Sequence, residues 1–139
     1  MNILKVLTPR RKVGNRGEDF AVKHLRKNGY KVLCRNYVGA DSEIDVIAEN
    51  KTTVAFIEVK TRTEGHESKK ETRPAAAVTP EKQRKIISSA KYYIASNPKD
   101  KRVSLDIIEV YLNENGTLRR ILHIENAFNI NTAYNRQRR

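Results

Sequence analysis

Residues 54–60 read VAFIEVK, and the interpretation of the whole chain starts from this stretch. Its β-branched and aromatic residues predict a buried strand, yet the strand ends in an acid and a base. Because strand side chains alternate with period two, Glu58 and Lys60 are expected on one face, beside Phe56. A charge beside a buried sheet is costly unless it is paired, solvated or bound to an ion. This strand end therefore indicates either a functional site or an ion pair.

A second strand precedes it, SEIDVIA at residues 42–48, and the polar segment ENKTT predicts a hairpin between the two. Alternation places Ile44 and Val46 on one face and Asp45 on the other. Asp45 lies near the start of one strand and Glu58 near the end of the next, so antiparallel pairing brings them to the same edge of the sheet. The two carboxylates and the strand-end lysine are therefore expected to meet.

The remaining pattern predicts an α/β fold with the order helix, strand, strand, strand, helix, strand, strand. Helical spacing predicts a first helix over about 17–28 and a second from Pro80, with Thr79 as its N-cap. A short strand ends near Gly39, and two more strands, RVSLDIIEVYL and LRRILHI, follow the second helix. This order predicts a mixed β-sheet of about five strands flanked by helices, with the second helix crossing over between parallel neighbours.

The chain of 139 residues fits one domain, residues 1–139, without internal repeats or a linker. Residues 1–13 and 129–139 are expected to be loose basic ends. Residues 62–78 are rich in charge and lack periodicity, which predicts a mobile loop. The single cysteine, Cys34, excludes an internal disulfide, and no stretch is typical of a signal peptide or a transmembrane helix. A cytoplasmic protein is therefore expected.

The charge balance favours a polyanionic partner. Lys and Arg number 28 against 16 Asp and Glu, which leaves a formal net charge of +12. This excess favours nucleic acid first and an anionic membrane second, whereas a basic but inert surface is the alternative. The sequence contains no basic amphipathic helix with bulky apolar residues, which argues against a membrane surface. The candidates for phosphate contacts near the strand end are Arg62, Lys69, Lys70, Arg73, Lys82 and Lys85.

Asp45 and Glu58 have the chemistry of a divalent-metal site. Mg²⁺ and Mn²⁺ prefer oxygen ligands and are held by one or two carboxylates, with water and substrate phosphate completing the shell. A divalent ion would remove the repulsion between the two acids and polarise a phosphodiester or a bound water. Lys60 can hold the attacking water or offset the charge that develops on the phosphoryl group. The expected reaction is metal-dependent hydrolysis of a phosphodiester bond.

Glu18 is the third acid of this hypothesis. It shares the inward face of the apolar residues that follow it in the first helix. There it can complete the metal shell or act on the water, although an acid in a first turn also simply favours the helix dipole. E-x-K alone is a weak motif, because a solvated Glu58–Lys60 pair is an ordinary feature of a strand end. The upstream Asp45, the helical Glu18 and the basic chain together make the functional reading the stronger one.

Other catalytic classes lack the residues they need. His24, His66 and His123 have no metal-ligand spacing and are typical of core-edge or solvated histidines. The sequence has no nucleophile-elbow serine, no P-loop and no dinucleotide-binding fingerprint. Glycine, with six residues, is too scarce for a phosphate cradle.

Four motifs follow one another from about Gly14 to Phe128. They are a G-x-x-G-E helix start, an E-I-D strand, an E-V-K strand and a final N-A-F. With these motifs in this order, the chain resembles the YraN-like family of small bacterial proteins. That family is similar to archaeal Holliday junction resolvases and is assigned a restriction-endonuclease-like fold with a PD-(D/E)xK site. The resemblance implies that fold and a Mg²⁺- or Mn²⁺-dependent endonuclease.

Carried onto this chain, the resemblance implies Asp45 and Glu58 as metal ligands, Lys60 as the catalytic lysine and Glu18 as the helical glutamate. Glu43 belongs to the E-I-D triplet and would support the ligands from behind, and Gln83 lies on the helix that often faces such sites. The chain departs from the family at Ser42, where glycine usually precedes E-I-D. It departs again in VSLDII, where an arginine and a phenylalanine usually precede the aspartate. Neither departure touches the metal ligands, and both concern substrate contacts.

Three functions compete for this sequence. The leading one is a metal-dependent nuclease acting on DNA, including branched or single-stranded DNA. The second is a nucleic-acid-binding module of the same fold without catalysis, although such a module does not require two carboxylates near phosphates. The third is an interaction protein whose basic surface meets an acidic protein or a membrane. Enzymes that cut two strands symmetrically often pair, so a homodimer stays open, and no stretch indicates its interface.

Overall fold

Seven elements follow one another along residues 9–65 and 78–129, the part of the chain that this computed structural model describes. They are helix α1 (Pro9–Lys27), strands β1 (Lys31–Val38), β2 (Glu43–Glu49) and β3 (Thr53–Thr63), helix α2 (Pro80–Ser96), and strands β4 (Arg102–Leu112) and β5 (Leu118–Phe128). The α/β order predicted from the sequence is confirmed. No helix in these two ranges is long and apolar enough to cross a membrane.

One five-stranded sheet has the strand order β1-β2-β3-β4-β5. Neighbouring strands are antiparallel except β3 and β4, which are parallel and are connected through α2. The mixed sheet and its helical crossover are therefore confirmed. Because β3 and β4 run in the same direction, their carboxyl-terminal halves lie side by side, with Lys60 opposite Glu109. This end of the two strands carries the candidate site.

In the described part of the chain the core consists of two buried clusters, one for each helix. In the first, Ala21, Val22 and Leu25 of α1 meet Val46, Ala55, Ile57, Ile108 and Val110 of the strands. In the second, Ile86, Ile87, Ala90 and Tyr93 of α2 meet Ile44, Ile47, Phe56, Leu105 and Ile107. Fully burying one large apolar side chain stabilises a fold by about 1.5–3 kcal/mol. Since Phe56 and Ile57 are neighbours on β3 yet belong to different clusters, the two helices cover opposite faces of the sheet.

The predicted alternation along β2 holds only in part. Ile44 belongs to the α2 cluster together with Ile47, whereas Val46 belongs to the α1 cluster. Ile44 and Val46 therefore do not share a face, contrary to the sequence expectation. The deviation lies beside Asn36 of β1, which stands opposite Asp45 and whose φ of 52° is left-handed. A local irregularity of this kind has no signature in a period-two pattern.

Helix α1 begins earlier than the sequence pattern indicates. Residues 9–13, expected to be part of a loose lead-in, are helical, and the helix starts at Pro9. Gly14 and Gly17 each lower helix propensity by about 1 kcal/mol relative to alanine, which masks the helix in the sequence. Glu18 therefore lies in the middle of α1 rather than in its first turn. The alternative that this acid serves the N-terminal helix dipole is wrong, because that effect is confined to the first turn.

Strand β3 is longer than the stretch VAFIEVK. It pairs with β4 as far as Thr63, so Arg62 and Thr63, expected to open a mobile loop, belong to the strand instead. The end of β3 is polar, and the parallel pairing that extends it is a long-range contact without a local signal. The rest of the predicted loop and the chain ends fall largely outside the described residues, which exclude 1–8, 66–77 and 130–139.

Helix α2 begins as predicted. Thr79 is its N-cap, because the Thr79 Oγ1 accepts a hydrogen bond from the backbone N–H of Lys82 at 3.2 Å, and Pro80 is the first helical residue. A cap of this kind typically contributes about 1 kcal/mol to stability. The cap fixes the backbone of the first turn of α2, from which the Lys82 side chain reaches Glu58 of β3.

Helix α1 contacts the sheet without an intervening side chain at Gly17. A Cβ at this position would overlap the Oγ1 of Thr61 on β3 and would lie 3.0 Å from the Thr61 Cβ. Glycine therefore lets α1 approach β3 directly, and the next residue is Glu18. The closeness of this contact sets how deeply Glu18 enters the sheet edge.

Replacing Gly17 with alanine is expected to destabilise the fold by roughly 1–3 kcal/mol, because the added methyl group has no space against Thr61. In an exposed helix the same change would stabilise by about 1 kcal/mol, so the sign of the effect is informative. Urea unfolding of the parent, Gly17→Ala, Thr61→Ala and the double variant measures it. Thr61→Ala removes two of the three obstructing atoms and should recover part of the loss. A Gly17→Ala variant as stable as the parent would contradict the close approach.

Candidate active site

The site begins where strands β2 and β3 separate. At this end their last paired residues are Val46 and Ile57, and the next residues, Asp45 and Glu58, are no longer paired. The Oδ2 of Asp45 instead accepts a hydrogen bond from the backbone N–H of Val59 at 2.8 Å. The Asp45 side chain thus takes the place of a backbone acceptor. Asp45 and Glu58 lie at the same end of the hairpin, where the sequence places them.

Glu58 is a buried acid in contact with two lysines. It is 8% exposed, and its Oε1 accepts a hydrogen bond from the Nζ of Lys82 at 2.7 Å. The Nζ of Lys60 lies 3.6 Å from the same oxygen, so Glu58 and Lys60 share a face as alternation predicts. Burial lowers the pKa of Lys82, but the hydrogen bond and the charge of Glu58 outweigh burial, so the pKa is raised overall. The sequence pattern indicates the Lys60 contact but not the shorter one from Lys82.

Asp45 carries an unfavourable charge. Burial and the charge of Glu58 raise the pKa of Asp45 from 3.8 to about 7. Glu18 adds to this rise, whereas the hydrogen bond from Val59 and the charge of Lys82 oppose it. Burial is the largest cause of the raised pKa and the carboxylate of Glu58 adds to it, so the charged form of Asp45 is disfavoured at this edge.

Glu18 approaches the pair from α1. Its side chain is 12% exposed, and burial raises its pKa although the charge of Arg35 opposes the rise. The Nη2 of Arg35 lies 3.6 Å from the Oε2 of Glu18 but 2.8 Å from the Oδ1 of Asp19, so Asp19 takes the better hydrogen bond. The Glu18 Oε2 is buried and accepts no hydrogen bond from the residues that the structure describes. Glu18 thus faces inward, and its role at the site stays a prediction.

The donor atoms fit a hard divalent cation. Asp45 and Glu58 offer carboxylate oxygens, and one buried oxygen of Glu18 is left without a hydrogen bond. Mg²⁺ and Mn²⁺ need only one or two protein carboxylates when water and substrate phosphate complete the shell. Across residues 9–65 and 78–129, no three His, Cys, Asp or Glu side chains form a group that could hold a metal ion. Asp45 and Glu58 are the residues that would hold an ion here, and a ligand role for Glu18 stays a prediction.

The two residues expected to support the acids lie in different surroundings. Gln83 is buried on α2, where its Nε2 donates to the carbonyl of Val78 at 2.9 Å and its Oε1 has no hydrogen-bond partner among the described residues. Glu43 is exposed at the start of β2, opposite Val38. Gln83 is thus buried on α2, directly after Lys82 in the chain, whereas Glu43 is exposed, two residues before Asp45. A supporting role for either residue stays a prediction.

A network that the sequence pattern does not reveal continues along the sheet. Glu109 of β4 is 2% exposed and lies opposite Lys60, with the Nη2 of Arg62 3.7 Å from its Oε1. A hydrogen bond with Glu109 raises the pKa of Tyr111, and the Arg120 guanidinium lies over the Tyr111 ring, 4.3 Å from its centroid. The acid that interrupts the apolar run DIIEVYL is the only local signal of this network. Its partners depend on the register of three strands, which a single sequence does not contain.

The basic residues proposed for phosphate contacts are placed unequally. Arg62 and Lys82 each lie next to a buried glutamate at the site. Lys85 is exposed on α2, with its Nζ 3.6 Å from the Oε1 of Glu81. Lys69, Lys70 and Arg73 lie outside the described residues.

A further buried acid, Asp106, lies on the face of the sheet opposite to Glu58 and Glu109. It is 1% exposed and accepts hydrogen bonds from the Oγ of Ser104 and, at 2.9 Å, from the backbone N–H of Asn126. The Nε2 of His123 lies 2.8 Å from its other oxygen. These partners satisfy the carboxylate and join β4 to β5. The histidine is thus at the edge of the core, as the sequence indicates, and takes no part in the Asp45 site.

In chelator, the stability of the protein should depend on pH because of the raised pKa of Asp45. In the unfolded chain Asp45 loses its proton near 3.8, whereas in the folded protein its pKa is about 7. Between these values the folded state binds more protons than the unfolded state. The contribution of Asp45 to the free energy of unfolding therefore falls as the pH rises through this range.

The Asp45→Asn variant removes this effect and keeps an oxygen for the Val59 N–H. In chelator it is expected to melt close to the parent at about pH 5 and about 3 °C or more above it at about pH 8. Asp41→Asn, in the exposed turn before β2, is the matched control and should not show this pH-dependent difference. Thermal melts at the two pH values decide the matter. An Asp45→Asn variant that melts below the parent at pH 8 would make Asp45 a structural partner of Lys82.

Comparison with known proteins identifies relatives of this chain. A profile of the uncharacterised protein family UPF0102 matches residues 17–110. A UPF0102 protein of Caldanaerobacter subterraneus subsp. tengcongensis is 47% identical over 118 residues, which cover 84% of this chain and 93% of that protein. One of Porphyromonas gingivalis is 39% identical over 115 residues, covering 83% of this chain and 82% of its own length. One of Desulfosudis oleivorans is 38% identical over 130 residues, covering 92% and 98%. The family resemblance seen in the sequence is confirmed, and the chain belongs to UPF0102, the YraN-like family.

Proposed function

We propose that this protein is a metal-dependent nuclease that hydrolyses phosphodiester bonds in DNA, including branched or single-stranded DNA. The observation that carries the proposal is the Asp45–Glu58 pair beside Lys60, in which burial and the neighbouring charge raise the pKa of Asp45 to about 7. Acids with perturbed pKa values collect at functional sites. A solvated surface pair, the alternative drawn from the sequence, does not account for a glutamate that is 8% exposed.

Each residue has a role that follows from its chemistry. Asp45 and Glu58 would hold the divalent ion, which when bound polarises the scissile phosphate and a water. Lys60 lies on the face of Glu58, where its ammonium donates hydrogen bonds to a water or to a phosphate oxygen on which charge develops. Glu18, whose side chain is 12% exposed, would orient the water from the α1 side. These four side chains position the reacting groups from two strands and one helix.

The nucleic acid would lie over the sheet face that continues past the carboxylate pair. Arg62 and Arg120 offer cations there, and Tyr111 and the 43% exposed Leu122 offer apolar surface to a base. Glu109 contacts both Arg62 and Tyr111, so these groups are held in place before the substrate arrives. The formal charge of +12 favours the approach of a polyanion.

The alternative function is a nucleic-acid-binding module of the same fold without catalysis. One observation favours it, since Lys60 and Lys82 already lie against Glu58 and neutralise it without a metal ion. A binding module gains nothing from the unfavourable charge at Asp45, however. Carboxylates repel a phosphate backbone unless a cation lies between them. The nuclease therefore accounts for more of the site than the binding module.

We place the activity in the cytoplasm, because Cys34 is a free thiol and a reducing compartment keeps it so. Symmetric cleavage of two strands needs two active sites. A homodimer is therefore the form that we expect for that reaction, whereas cleavage of one strand needs a single chain.

Cleavage assays test the proposal. The parent is incubated with linear, nicked, flapped and four-way DNA and with matching RNA, in Mg²⁺, Mn²⁺ or chelator. We expect metal-dependent cleavage of at least one DNA, and Lys60→Ala should lower the rate by about 100-fold while retaining most of the affinity. Lys51→Ala removes the same charge from the exposed hairpin turn, at the opposite end of β2 and β3, and should cleave like the parent.

Two results would count against the proposal. If no substrate is cleaved with either metal ion, the binding module becomes the better explanation. If Lys60→Ala cleaves at the parental rate, Lys60 does not belong to the catalytic set.

Affinity for DNA is expected to fall steeply with salt. Each neutralised phosphate contributes a slope of about −0.9 in log K against log salt on duplex DNA. Arg120→Ala should reduce the size of the slope by about one contact, and Lys51→Ala should leave it unchanged. Fluorescence anisotropy at several salt concentrations measures both. A flat titration of the parent would exclude nucleic acid as the partner.

A further inference from the structure

A short hydrogen bond at the site joins the buried acid Glu58 to the partly exposed base Lys82. The Nζ of Lys82 lies 2.7 Å from the Oε1 of Glu58, whereas the Nζ of Lys60 lies 3.6 Å from the same oxygen. The Glu58 side chain is 9% exposed, but that of Lys82 is 41% exposed. Lys82 therefore reaches the carboxylate from the solvent side.

Lys82 occupies one of the two carboxylate oxygens that Glu58 could offer to a divalent ion. Hard cations bind carboxylate oxygens directly, and two positive charges beside one oxygen repel each other. The Lys82 hydrogen bond and a divalent ion at the Oε1 of Glu58 are therefore competitors. Lys60 lies farther from this oxygen and is less exposed, at 23%, so it competes less and has less freedom to leave.

The position of Lys82 also gives its ammonium group a second partner. The Thr79 cap holds the backbone of Lys82, so only the four-carbon side chain needs to move. Because the Lys82 side chain is 41% exposed, its ammonium group lies on the solvent side of Glu58, from which a phosphate would approach. An ammonium group released from Glu58 can donate a charge-assisted hydrogen bond to that phosphate.

We propose that Lys82 alternates between Glu58 and a phosphate of the nucleic acid, and that a divalent ion at the carboxylate pair decides between the two. In the metal-free protein Lys82 neutralises Glu58 and contributes little to phosphate binding. With the ion in place Lys82 is free to hold the substrate. This inference rests on the proposed nuclease site and adds an order of events to it. The opposing explanation is a permanent Lys82–Glu58 pair that only joins α2 to β3.

Metal binding to the free protein gives the first test. Calorimetric titrations with Mn²⁺ alone compare the parent with Lys82→Met and with Lys82→Gln, and circular dichroism confirms that each is folded. Both variants are expected to bind Mn²⁺ about threefold or more tightly than the parent, because no ammonium group competes at Glu58. Lys85→Met, one turn further along α2 and paired with Glu81, is the matched control and should change the affinity by less than about twofold. Equal Mn²⁺ affinities of the parent and both Lys82 variants would overturn the proposal.

DNA binding gives the second test. Anisotropy of a labelled hairpin DNA with a single-stranded arm is measured in chelator and in Ca²⁺, which takes the same oxygen ligands. The parent and Lys82→Met should bind within about twofold of each other in chelator and differ by about tenfold or more in Ca²⁺, the value of one charge-assisted hydrogen bond. Lys85→Met should lower the affinity for DNA by the same factor in chelator and in Ca²⁺. A Lys82→Met loss of equal size in chelator and in Ca²⁺ would overturn the proposal.

The two tests separate this inference from the proposed function. If the parent binds Mn²⁺ and DNA but the Lys82 variants show no metal-dependent difference, the alternation fails and the nuclease site stands. If the parent binds no Mn²⁺ with or without DNA, the metal site fails and the role of Lys82 fails with it.

Discussion

The hydrogen bond from the Val59 N–H to the Asp45 carboxylate is the interaction on which this end of the structure depends. Beyond Val46 and Ile57 the two strands no longer pair, and the side chain of Asp45 keeps their ends together. The same bond holds Asp45 next to Glu58, although burial and that neighbour both disfavour its charge. The hairpin therefore maintains an unfavourable pair of acids at the point where its own ladder stops. A cation between the acids would relieve this condition.

Asp106 shows that the same sheet can satisfy a buried acid completely. Its carboxylate has a hydroxyl, a histidine and a backbone N–H as partners, whereas Asp45 has one backbone N–H. Both aspartates lie on strands of the same sheet, and they differ mainly in the hydrogen-bond partners of their carboxylates. Glu58 lies between these extremes, since its hydrogen bond comes from a partly exposed lysine side chain and not from the backbone. The proposed binding site uses this difference, because a side-chain partner is more easily exchanged than a backbone one.

The parts that could be predicted from the sequence are those that depend on local patterns. Thr79 marks the start of α2 because a cap is a property of four adjacent residues, and the hairpin brings Asp45 to Glu58 because antiparallel pairing fixes which strand ends meet. The Glu109 network could not be predicted, since the register of β3 on β4 is set across the α2 crossover. Nor could the contact from Lys82, which depends on how far α2 extends over the sheet. The start of α1 could not be predicted because two glycines lower the helix propensity of this segment. Its helical structure depends on contacts with the rest of the chain.

The bare contact between Gly17 and Thr61 restricts how the length of this chain can vary. Because no side chain separates α1 from β3 there, the helix cannot slide along the strand without lifting away from it. A residue inserted before Gly17 would lengthen the free end of the helix and leave the packed part unchanged. A residue inserted between Gly17 and Leu25 would turn everything after it by about 100°, and either Glu18 or the apolar stripe would leave the sheet. Length differences between relatives in α1 are therefore expected on the amino-terminal side of Gly17.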